Sequence, residues 1–354
     1  MPKKSQNLLS LDLLKKLTAA TGISGREEDV RSLIIAEMKP LVDDLKTDVM
    51  GNVIGHRKGK TPLKVVMAAH MDEIGFMVNH IDDKGFLRII PIGGFDPRTL
   101  MAQKVLVHGK KQLTGVFGSK PIHVLSEEEK KKVLKVEDYF VDLGLPGDEV
   151  KKLVSVGDPV TWHREFTEIG DCVASKSFDD RVGVFVMIEA LRKIKDQPLN
   201  FELYAVATVQ EEVGVRGATT SAIGLDPDVG IAVDITLAND VPGAPDHERV
   251  TVLGEGAAIK IMDSYSISNP KLVEHFKAVA KKHRIKTQME ILPRGGTDAG
   301  AIQRAGKKAA VVTLSIPTRY AHSTVETCHK DDIQASIDLL AAYLLDNGKR
   351  DYVL

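Results

Sequence analysis

The chain has 354 residues, of which 43% are hydrophobic, and this length suits one large domain or two moderate ones. Its 48 basic and 49 acidic residues give a net charge of −1, so we expect no nucleic-acid partner. Two cysteines, Cys172 and Cys328, cannot form a disulfide framework, which favours a reducing cytoplasm. The N-terminal apolar run is too short for a signal peptide, and we expect no membrane-spanning segment.

The N-terminal region has the pattern of two helices followed by strands. Apolar spacing predicts a first helix over Leu8–Leu17, and a turn follows at Thr21–Gly25. Ser24 is expected to cap the second helix in a capping box with Glu27. Three strands are then predicted at Leu45–Val49, Val53–His56 and Leu63–Ala68.

Residues 75–163 differ in character from the rest of the chain. Short alternating strands separated by glycines and prolines are typical of a small β-barrel or sandwich. These strands are predicted at Gly85–Ile90, Lys104–His108, Leu113–Phe117 and Pro159–His163. The charged run Ser126–Lys135 inside this region indicates a surface helix or a mobile loop rather than a binding patch.

After Cys172 strands and helices alternate again. The predicted strands are Phe201–Val209, Val229–Val233 and Ala309–Ser315, and the predicted helices are Asp180–Lys193, Pro270–His283, Thr297–Ala305 and Lys330–Asn347. This alternation predicts an α/β fold with a mainly parallel sheet, formed by residues 1–74 and 164–354 and split by the β domain at 75–163.

Residues that can bind metals follow several of the predicted strands. His70, Glu211, Glu212, Asp234 and His322 lie at strand ends, and Asp179 and Asp180 open the helix after the β domain. Ligands of open α/β sheets bind beyond the carboxyl ends of the strands, so these side chains should converge. Taken singly, each has an ordinary explanation: Asp180 could cap its helix and Asp234 could be a turn residue. Their coincidence at separate strand ends favours a metal site.

Charge arithmetic favours two ions rather than one. The candidate ligands are His70, Asp179, Glu212, Asp234 and His322. Their three carboxylates carry less negative charge than the positive charge of two divalent ions, so the centre keeps a net positive charge. Such a centre would lower the pKa of a bridging water towards about 7. Mixed imidazole and carboxylate ligands suit Zn²⁺, with Co²⁺ or Mn²⁺ as alternatives. Glu211 is then left as a candidate general base, and Asp72 is placed to hold His70.

Six motifs together carry a family resemblance. They are AAHMDEIGF (Ala68–Phe76), SFDDRVG (Ser177–Gly183), VQEEVGVRGA (Val209–Ala218), AVDIT (Ala232–Thr236), GGTDAGAIQ (Gly295–Gln303) and PTRYAHSTVE (Pro317–Glu326). In combination they resemble the tetrahedral (TET) aminopeptidases, the glutamyl/leucyl aminopeptidase group of dinuclear metallopeptidases, some of whose members have been labelled endoglucanases. The resemblance covers nearly the whole chain.

The resemblance implies a role for each site residue. It places His70 and Asp234 on one metal, Glu212 and His322 on the other, and Asp179 between the two. Glu211 would be the general base and proton shuttle, and Asp72 would hold His70. The implied activity is removal of N-terminal residues from short peptides by a hydroxide that two metals activate.

The resemblance also implies a fold and an assembly. The fold would be a zinc-peptidase-like three-layer α/β/α domain with an inserted β-barrel that makes oligomer contacts. Family members form large hollow particles, commonly dodecamers built from dimers.

Alternatives remain open at the level of the sequence. A deacylase or a glycosidase could use the same dinuclear site. A glycosidase needs a pair of carboxylates about 5–9 Å apart, however, and would have no need for the two histidines. A non-catalytic assembly protein would be expected to lack ligands that are present here. The side-chain preference is also open, because Arg294 or Arg319 could attract an acidic residue while neighbouring Ile and Leu side chains suit an aliphatic one.

Overall fold

The computed structural model describes residues 9–306, 309–346, 348 and 350–354, so Leu8 and Asn347, which the sequence placed at helix ends, lie outside the described residues. The helices are α1 (Asp12–Ala19), α2 (Glu28–Met38), α3 (Gly147–Leu153), α4 (Phe178–Ile194), α5 (Arg216–Leu225), α6 (Pro270–His283), α7 (Asp298–Ala305) and α8 (Lys330–Leu345). Within the described part of the chain, no helix combines the length and apolar character needed to cross a membrane.

The strands form one large sheet and one barrel. They are β1 (Asp44–Thr47), β2 (Val53–Arg57), β3 (Lys64–His70), β4 (Gly75–Ile81), β5 (Leu87–Ile92), β6 (Lys104–His108), β7 (Gln112–Gly118), β8 (Phe140–Asp142), β9 (Pro159–Trp162), β10 (Thr167–Ile169), β11 (Cys172–Ser175), β12 (Glu202–Thr208), β13 (Val229–Leu237), β14 (Ala257–Met262), β15 (Thr287–Ile291), β16 (Ala310–Arg319) and β17 (Glu326–His329).

The large sheet has a parallel centre and mostly antiparallel flanks. Its order is β1-β2-β12-β3-β13-β16-β17-β11-β10, with β14 joined to β16 and β15 to β14. The central strands β12, β3, β13 and β16 are parallel, which confirms the predicted parallel core. The flanking strands pair antiparallel with their neighbours, except that β15 is parallel to β14. The β1–β2 hairpin is antiparallel because a connection that short can join only antiparallel neighbours.

Helices cover both faces of this sheet. Because side chains alternate along a strand, Val65 and Met67 of β3 pack with α1, α4, α6 and α8. Val66 and Ala68 of the same strand pack with α5 and α7 on the opposite face. β3 is therefore apolar on both faces, as its continuous hydrophobic run indicated. The α/β/α arrangement that the resemblance implied is confirmed.

The inserted region is a closed barrel of β4-β5-β8-β7-β6-β9. It leaves the α/β unit after β3 and returns before β10, so the chain of the larger unit is interrupted once. Phe76, Phe117 and Trp162 fill its centre with edge-to-face ring contacts. The role of residues 75–163 as an oligomerisation domain stays a prediction.

One local prediction, the capping box of α2, was wrong. The hydroxyl of Ser24 does not cap α2 but donates to Asp72 Oδ2, 2.6 Å away, and Glu27 accepts from the backbone of Gly25 instead of completing a capping box. A long-range hydrogen bond therefore replaces the local one. The run Ser126–Lys135 forms a loop with one short 3-10 turn, Glu129–Lys131, which is the second of the two forms expected for it.

Candidate metal centre

The ends of three central strands bring candidate ligands to one edge of the sheet. His70 is the last residue of β3 and pairs with Thr208, the last residue of β12. β13 lies on the other side of β3, runs in the same direction and carries Asp234. Glu211 and Glu212 follow β12 after two further residues. The parallel strands thus produce the convergence that the sequence predicted.

Asp179 lies between the two candidate histidines. Its Oδ1 is 3.0 Å from His70 Nε2 and its Oδ2 is 3.1 Å from His322 Nε2. Glu212 Oε2 is 3.8 Å from the same nitrogen of His322. One carboxylate with an oxygen towards each imidazole is the arrangement in which a single side chain could serve two ions.

Two groups of three side chains lie close enough to hold a cation. They are His70, Asp179 and Glu212, and His70, Asp180 and Asp234, and the ligand atoms of each group lie within 4.8 Å of one another. Asp180 was not among the five candidate ligands, and a helix cap was its ordinary explanation. Its Oδ1 does accept from the N–H of Gly183, but its Oδ2 accepts from the N–H of His70. Asp180 is therefore part of the cluster, which the second carboxylate of the Asp-Asp pair could have signalled.

Asp72 holds the loop that carries the two glutamates. Its Oδ1 accepts from the N–H of Glu211 at 3.0 Å, and its Oδ2 accepts from the N–H of Glu212 at 3.2 Å. The same side chain lies 3.4 Å from His70 Nδ1, while the backbone oxygen of Asp72 lies closer, at 3.1 Å. A carbonyl can only accept, so Nδ1 of His70 carries the proton and Nε2 faces Asp179.

Glu326 joins the two loops that carry His322 and Asp179. Its Oε1 accepts from the N–H of His322 and its Oε2 from the N–H of Asp179, both at 2.9 Å. Its side chain is buried, and burial together with the charge of Asp179 raises the pKa of Glu326 to about 8. Glu326 belongs to the motif PTRYAHSTVE, but no local pattern in the sequence indicated that it spans two candidate ligands.

Burial and crowding raise the pKa values of several carboxyls in the cluster. Burial, reinforced by the charge of Asp179, raises the pKa of Glu212 to about 8. Burial also raises the pKa of Asp234 to about 8, although the charge of His70 opposes the shift. The pKa of Glu211 lies well above its ordinary value for the same reason. These groups can all be anionic at neutral pH only when positive charge is added between them.

The residues present fit a divalent metal ion. Glu212 Oε1 is buried and has no hydrogen-bond partner among the described residues. A carboxylate oxygen in that position is costly unless a cation compensates it. Imidazole nitrogens and carboxylate oxygens together are the ligand types that Zn²⁺ and related divalent ions prefer.

The cluster forms one wall of a cavity of about 540 Å³. The apolar part of its lining includes Ile235, Leu237 and Leu292. Outside the cluster, the charged side chains among the described lining residues are Lys260 and Arg294. The cavity therefore combines an apolar wall with basic groups.

The two basic groups of the cavity differ in their partners. Lys260 is fully buried and pairs with Asp263 at 3.2 Å and Glu290 at 3.1 Å. Arg294 is exposed, and its guanidinium has no ion pair or hydrogen bond with any other described residue. Arg319, the other arginine considered from the sequence, is bound to Asp240 by two hydrogen bonds of 2.5 and 2.6 Å and does not line the cavity.

Comparison with known proteins decides the family. The sequence model of the M42 glutamyl aminopeptidases matches residues 51–339. The chain belongs to the M42 family. It is 39% identical to the lysyl aminopeptidase of Pyrococcus furiosus, over 98% of this chain and 99% of that protein. This M42 chain is therefore a peptidase, and the predicted family and enzyme class are confirmed.

Solved structures confirm the fold of this M42 chain. An aminopeptidase from Desulfurococcus kamchatkensis superposes with a TM-score of 0.91 at 44% identity, covering 94% of each chain. A second, the Pyrococcus horikoshii TET1 peptidase, has a TM-score of 0.85 at 35% identity, covering 94% of this chain and 98% of that one. That peptidase can assemble into a tetrahedron or a large octahedral shell.

The label noted from the sequence also recurs among the structures. A Thermotoga maritima protein named endoglucanase matches with a TM-score of 0.77 at 31% identity, over 94% of this chain and 96% of that one. The M42 family itself implies divalent metal ions, whereas the number of ions and the role of each residue stay predictions.

Proposed function

We propose that the protein is a metal-dependent aminopeptidase that removes N-terminal residues from short peptides with two divalent ions, zinc in first place and cobalt or manganese as alternatives. The observation that carries this proposal is Asp179, whose two oxygens face one imidazole each. The proposed ligands are His70, Asp179, Glu212, Asp234 and His322. Asp180 adds a further carboxylate beside Asp234.

Glu211 is the proposed general base. When bound, two divalent ions would polarise the scissile carbonyl and lower the pKa of a water molecule. Glu211 lines the cavity, and its Oε2 lies 3.9 Å from His70 Nε2. Burial raises its pKa well above the ordinary value, so this carboxylate can accept a proton from water and pass it to the departing amine. Asp72 keeps Glu211 at this position through the N–H of the same residue.

The carboxylates of the cluster explain why the activity would be confined to chain ends. Glu211, Glu212 and Asp234 line the same cavity and can attract the ammonium group of a free N-terminus. An acylated amine carries no such charge. This distinguishes an aminopeptidase from a deacylase, whose substrate has its nitrogen acylated.

The charges of the cavity favour an acidic first residue. Lys260 is neutralised by Asp263 and Glu290, and Arg319 by Asp240, which leaves Arg294 as the free cation among the described lining residues. We therefore expect Arg294 to pair with a glutamyl or aspartyl side chain. The Pyrococcus furiosus relative is named a lysyl aminopeptidase, so the alternative is a preference for a basic first residue. A panel that includes lysyl substrates would detect that preference.

A pair of substrate comparisons tests the proposed activity. Chelator-treated protein reconstituted with Zn²⁺, Co²⁺ or Mn²⁺ should release the first residue of a short peptide and leave its N-acetylated counterpart intact. Release of acetate or cleavage of a β-glucan instead would favour the deacylase or glycosidase alternative. Full peptidase activity after complete metal removal would overturn the proposal.

A panel of aminoacyl substrates tests the side-chain preference. Arg294→Gln should lower kcat/KM for glutamyl substrates about fivefold, the worth of an exposed ion pair of ~1 kcal/mol, and leave leucyl substrates unchanged. Arg249→Gln, which removes an arginine outside the cavity, is the matched control. Equal losses for glutamyl and leucyl substrates would contradict the assignment.

We further propose that copies of the chain assemble into a large homo-oligomer, a dodecamer built from dimers, through the inserted barrel. The assembly of the TET1 peptidase of Pyrococcus horikoshii supports this. We expect the particle to act in the cytoplasm, without a nucleic-acid or membrane partner.

A further inference from the structure

His322 is the most exposed of the five candidate ligands. About half of its side chain is open, 45% against 2% for His70, so packing alone does not fix its ring. Its backbone lies in the left-handed region, with φ of 57°, and is held by Glu326. The orientation of the imidazole must therefore come from hydrogen bonds.

The carbonyl of Gly94 supplies one such hydrogen bond. Its oxygen lies 3.1 Å from His322 Nδ1. A carbonyl can only accept, so Nδ1 carries the hydrogen and Nε2 is left for a cation. That nitrogen faces Asp179 at 3.1 Å and Glu212 at 3.8 Å. The contact therefore selects the tautomer that a metal ligand requires.

Gly94 belongs to the inserted barrel, not to the α/β unit that carries His322. It follows β5, and the next residue, Phe95, anchors it. The ring of Phe95 stacks on Phe76 with centroids 4.4 Å apart and meets Trp162 edge-on at 5.8 Å. Phe76 and Trp162 are buried in the barrel core, so that core determines where the Gly94 oxygen lies.

Gly93 brings the same segment against a second candidate ligand. A Cβ at this position would lie 2.6 Å from Ile74 Cγ2 and 3.2 Å from Glu212 Oε2, and the backbone has a φ of +86°. Only glycine suits both the space and this conformation. The segment 93–95 thus contacts His322 and lies beside Glu212, the two residues that we assign to the same ion.

We propose that the inserted barrel is a working part of the metal centre: the Gly94 carbonyl, held in place by Phe95, positions the imidazole of His322 and strengthens cation binding on the His322 and Glu212 side. Gly94 and Phe95 are positioning residues in this account. The proposal rests on the proposed function, since it requires that His322 binds a metal. It gives the barrel a role within each subunit, separate from any contact between subunits.

Metal affinity tests the proposal without relying on activity. The full-length protein, freed of metal, is titrated with Zn²⁺ in competition with a chromophoric chelator. Phe95→Leu, which loosens the segment, and Gly93→Ala, whose new Cβ would lie 2.6 Å from Ile74 Cγ2 and so shifts the segment, should weaken one of the two ions about 10- to 100-fold and leave the other unchanged. Phe86→Leu, a partly buried ring of the same barrel that packs on Phe140, is the matched control and should bind both ions as the wild type does.

The outcomes separate the inference from the function on which it rests. If the wild type binds no divalent ion, or if His322→Ala binds both ions normally, the proposed function fails. If His322→Ala loses one ion but Phe95→Leu and Gly93→Ala bind both normally, only the inference is overturned. An equal loss in Phe86→Leu would also overturn it, because general loosening of the barrel would then be the cause. Should Phe95→Leu not fold by circular dichroism, Gly93→Ala, which leaves the aromatic rings of the barrel core intact, decides the question.

Discussion

At the scale of single residues, Asp72 has a wider role than holding one imidazole. Its carboxylate accepts hydrogen bonds from Ser24 and from the backbones of both Glu211 and Glu212. These bonds and that of the imidazole of His70 stabilise its charge, so the pKa of Asp72 is lowered even though burial opposes the shift. The carboxylate of Asp72 therefore holds the candidate base Glu211 and the candidate ligand Glu212 in one loop, next to His70.

Asp72→Asn tests this role. The substitution keeps the size of the side chain but places a donor where at least one N–H already donates, so the loop of Glu211 and Glu212 must shift. We expect Zn²⁺ affinity to fall about 10- to 100-fold in the chelator titration. Asp82→Asn, at a carboxylate that accepts from two N–H groups in a barrel hairpin, is the control and should bind Zn²⁺ normally. Unchanged affinity in Asp72→Asn would contradict the assigned role.

The pKa shifts at the site predict how the metal-free protein responds to pH. Burial raises the pKa of Glu212 and Asp234 to about 8, so the folded state keeps protons that the unfolded chain loses above its ordinary values of 4.5 and 3.8. Although burial opposes it, the charge of Glu212 raises the pKa of His322 from 6.5 to about 11. Both shifts stabilise the protonated folded state, and this stability is lost as the pH rises through the folded values.

Thermal unfolding of chelator-treated protein measures this effect. We expect a lower Tm at pH about 8.5 than at pH about 6. Saturating Zn²⁺ should raise the Tm more at the higher pH, because fewer protons are then bound to Glu212 and Asp234 and must leave before the ion can bind. An equal Tm at both pH values would show that these carboxyls and His322 are not protonated in the metal-free fold.

Residues at strand ends could be predicted from the sequence, whereas their supports could not. His70 and Asp234 follow apolar runs, and parallel strands end at the same edge of a sheet. Glu326 and Gly94 have no comparable local signal, and the signal for Asp180 was limited to its place in an Asp-Asp pair. They contact the site through hydrogen bonds between segments far apart in sequence, such as Gly94 and His322, which are 228 positions apart.

At the scale of elements, helix α5 fixes the loop of the two glutamates from behind. The N–H of Gly217 donates to the carbonyl of Val209, where β12 has just ended. Asn52 completes the clamp, since its side chain accepts from the N–H of Val209 and donates to the carbonyl of Gly217. Glu211 and Glu212 lie in the loop that this clamp closes.

Two glycines of α5 provide a matched test of the clamp. A Cβ on Gly217 would lie 2.3 Å from Asn52 Oδ1 and 2.5 Å from the oxygen of Val209, whereas one on Gly224 would meet nothing within 4 Å. Gly217→Ala should lower the free energy of unfolding by about 1–3 kcal/mol and weaken Zn²⁺ binding. Gly224→Ala should raise the free energy of unfolding by about 0.5–1 kcal/mol, because alanine lowers the conformational entropy of the unfolded chain. Denaturant titration of both variants measures the difference, and equal effects would contradict the clamp.

Elements with local signals were predicted best. Helix α6 begins at Pro270 and ends at His283 as predicted, because Asn269 caps its start and proline suits its first turn. The short strands β14 and β15 and helix α5 were not predicted from the sequence. Pairing with neighbouring strands and packing on the sheet determine these elements, and such tertiary contacts leave little periodic pattern in a short segment.

At the scale of the whole molecule, the barrel is the feature whose purpose the sequence left most open. It could be predicted as a β insertion from its alternating strands, but its closure depends on pairing β9 with both β4 and β6. Through Gly94 it contacts the site in its own subunit. The proposed oligomer would give it a second role.

Particle size tests that second role. Light scattering should give a mass about twelve times that of one chain, as expected for closed assembly from dimers. Phe95→Leu should leave this mass unchanged, since its ring lies inside the barrel, against Phe76 and Trp162. A monomer or an isolated dimer as the sole species would contradict the proposed assembly.

The central claim, that Glu211 moves the proton while the neighbouring residues hold the metal ions, is tested most directly by Glu211→Gln. Zinc content and steady-state turnover of an aminoacyl substrate are measured on the same preparation. The variant should retain two Zn²⁺ per chain and lose about 10²- to 10⁴-fold in kcat, the usual contribution of a general base. Full turnover with both ions bound would contradict the assignment of Glu211 as the base.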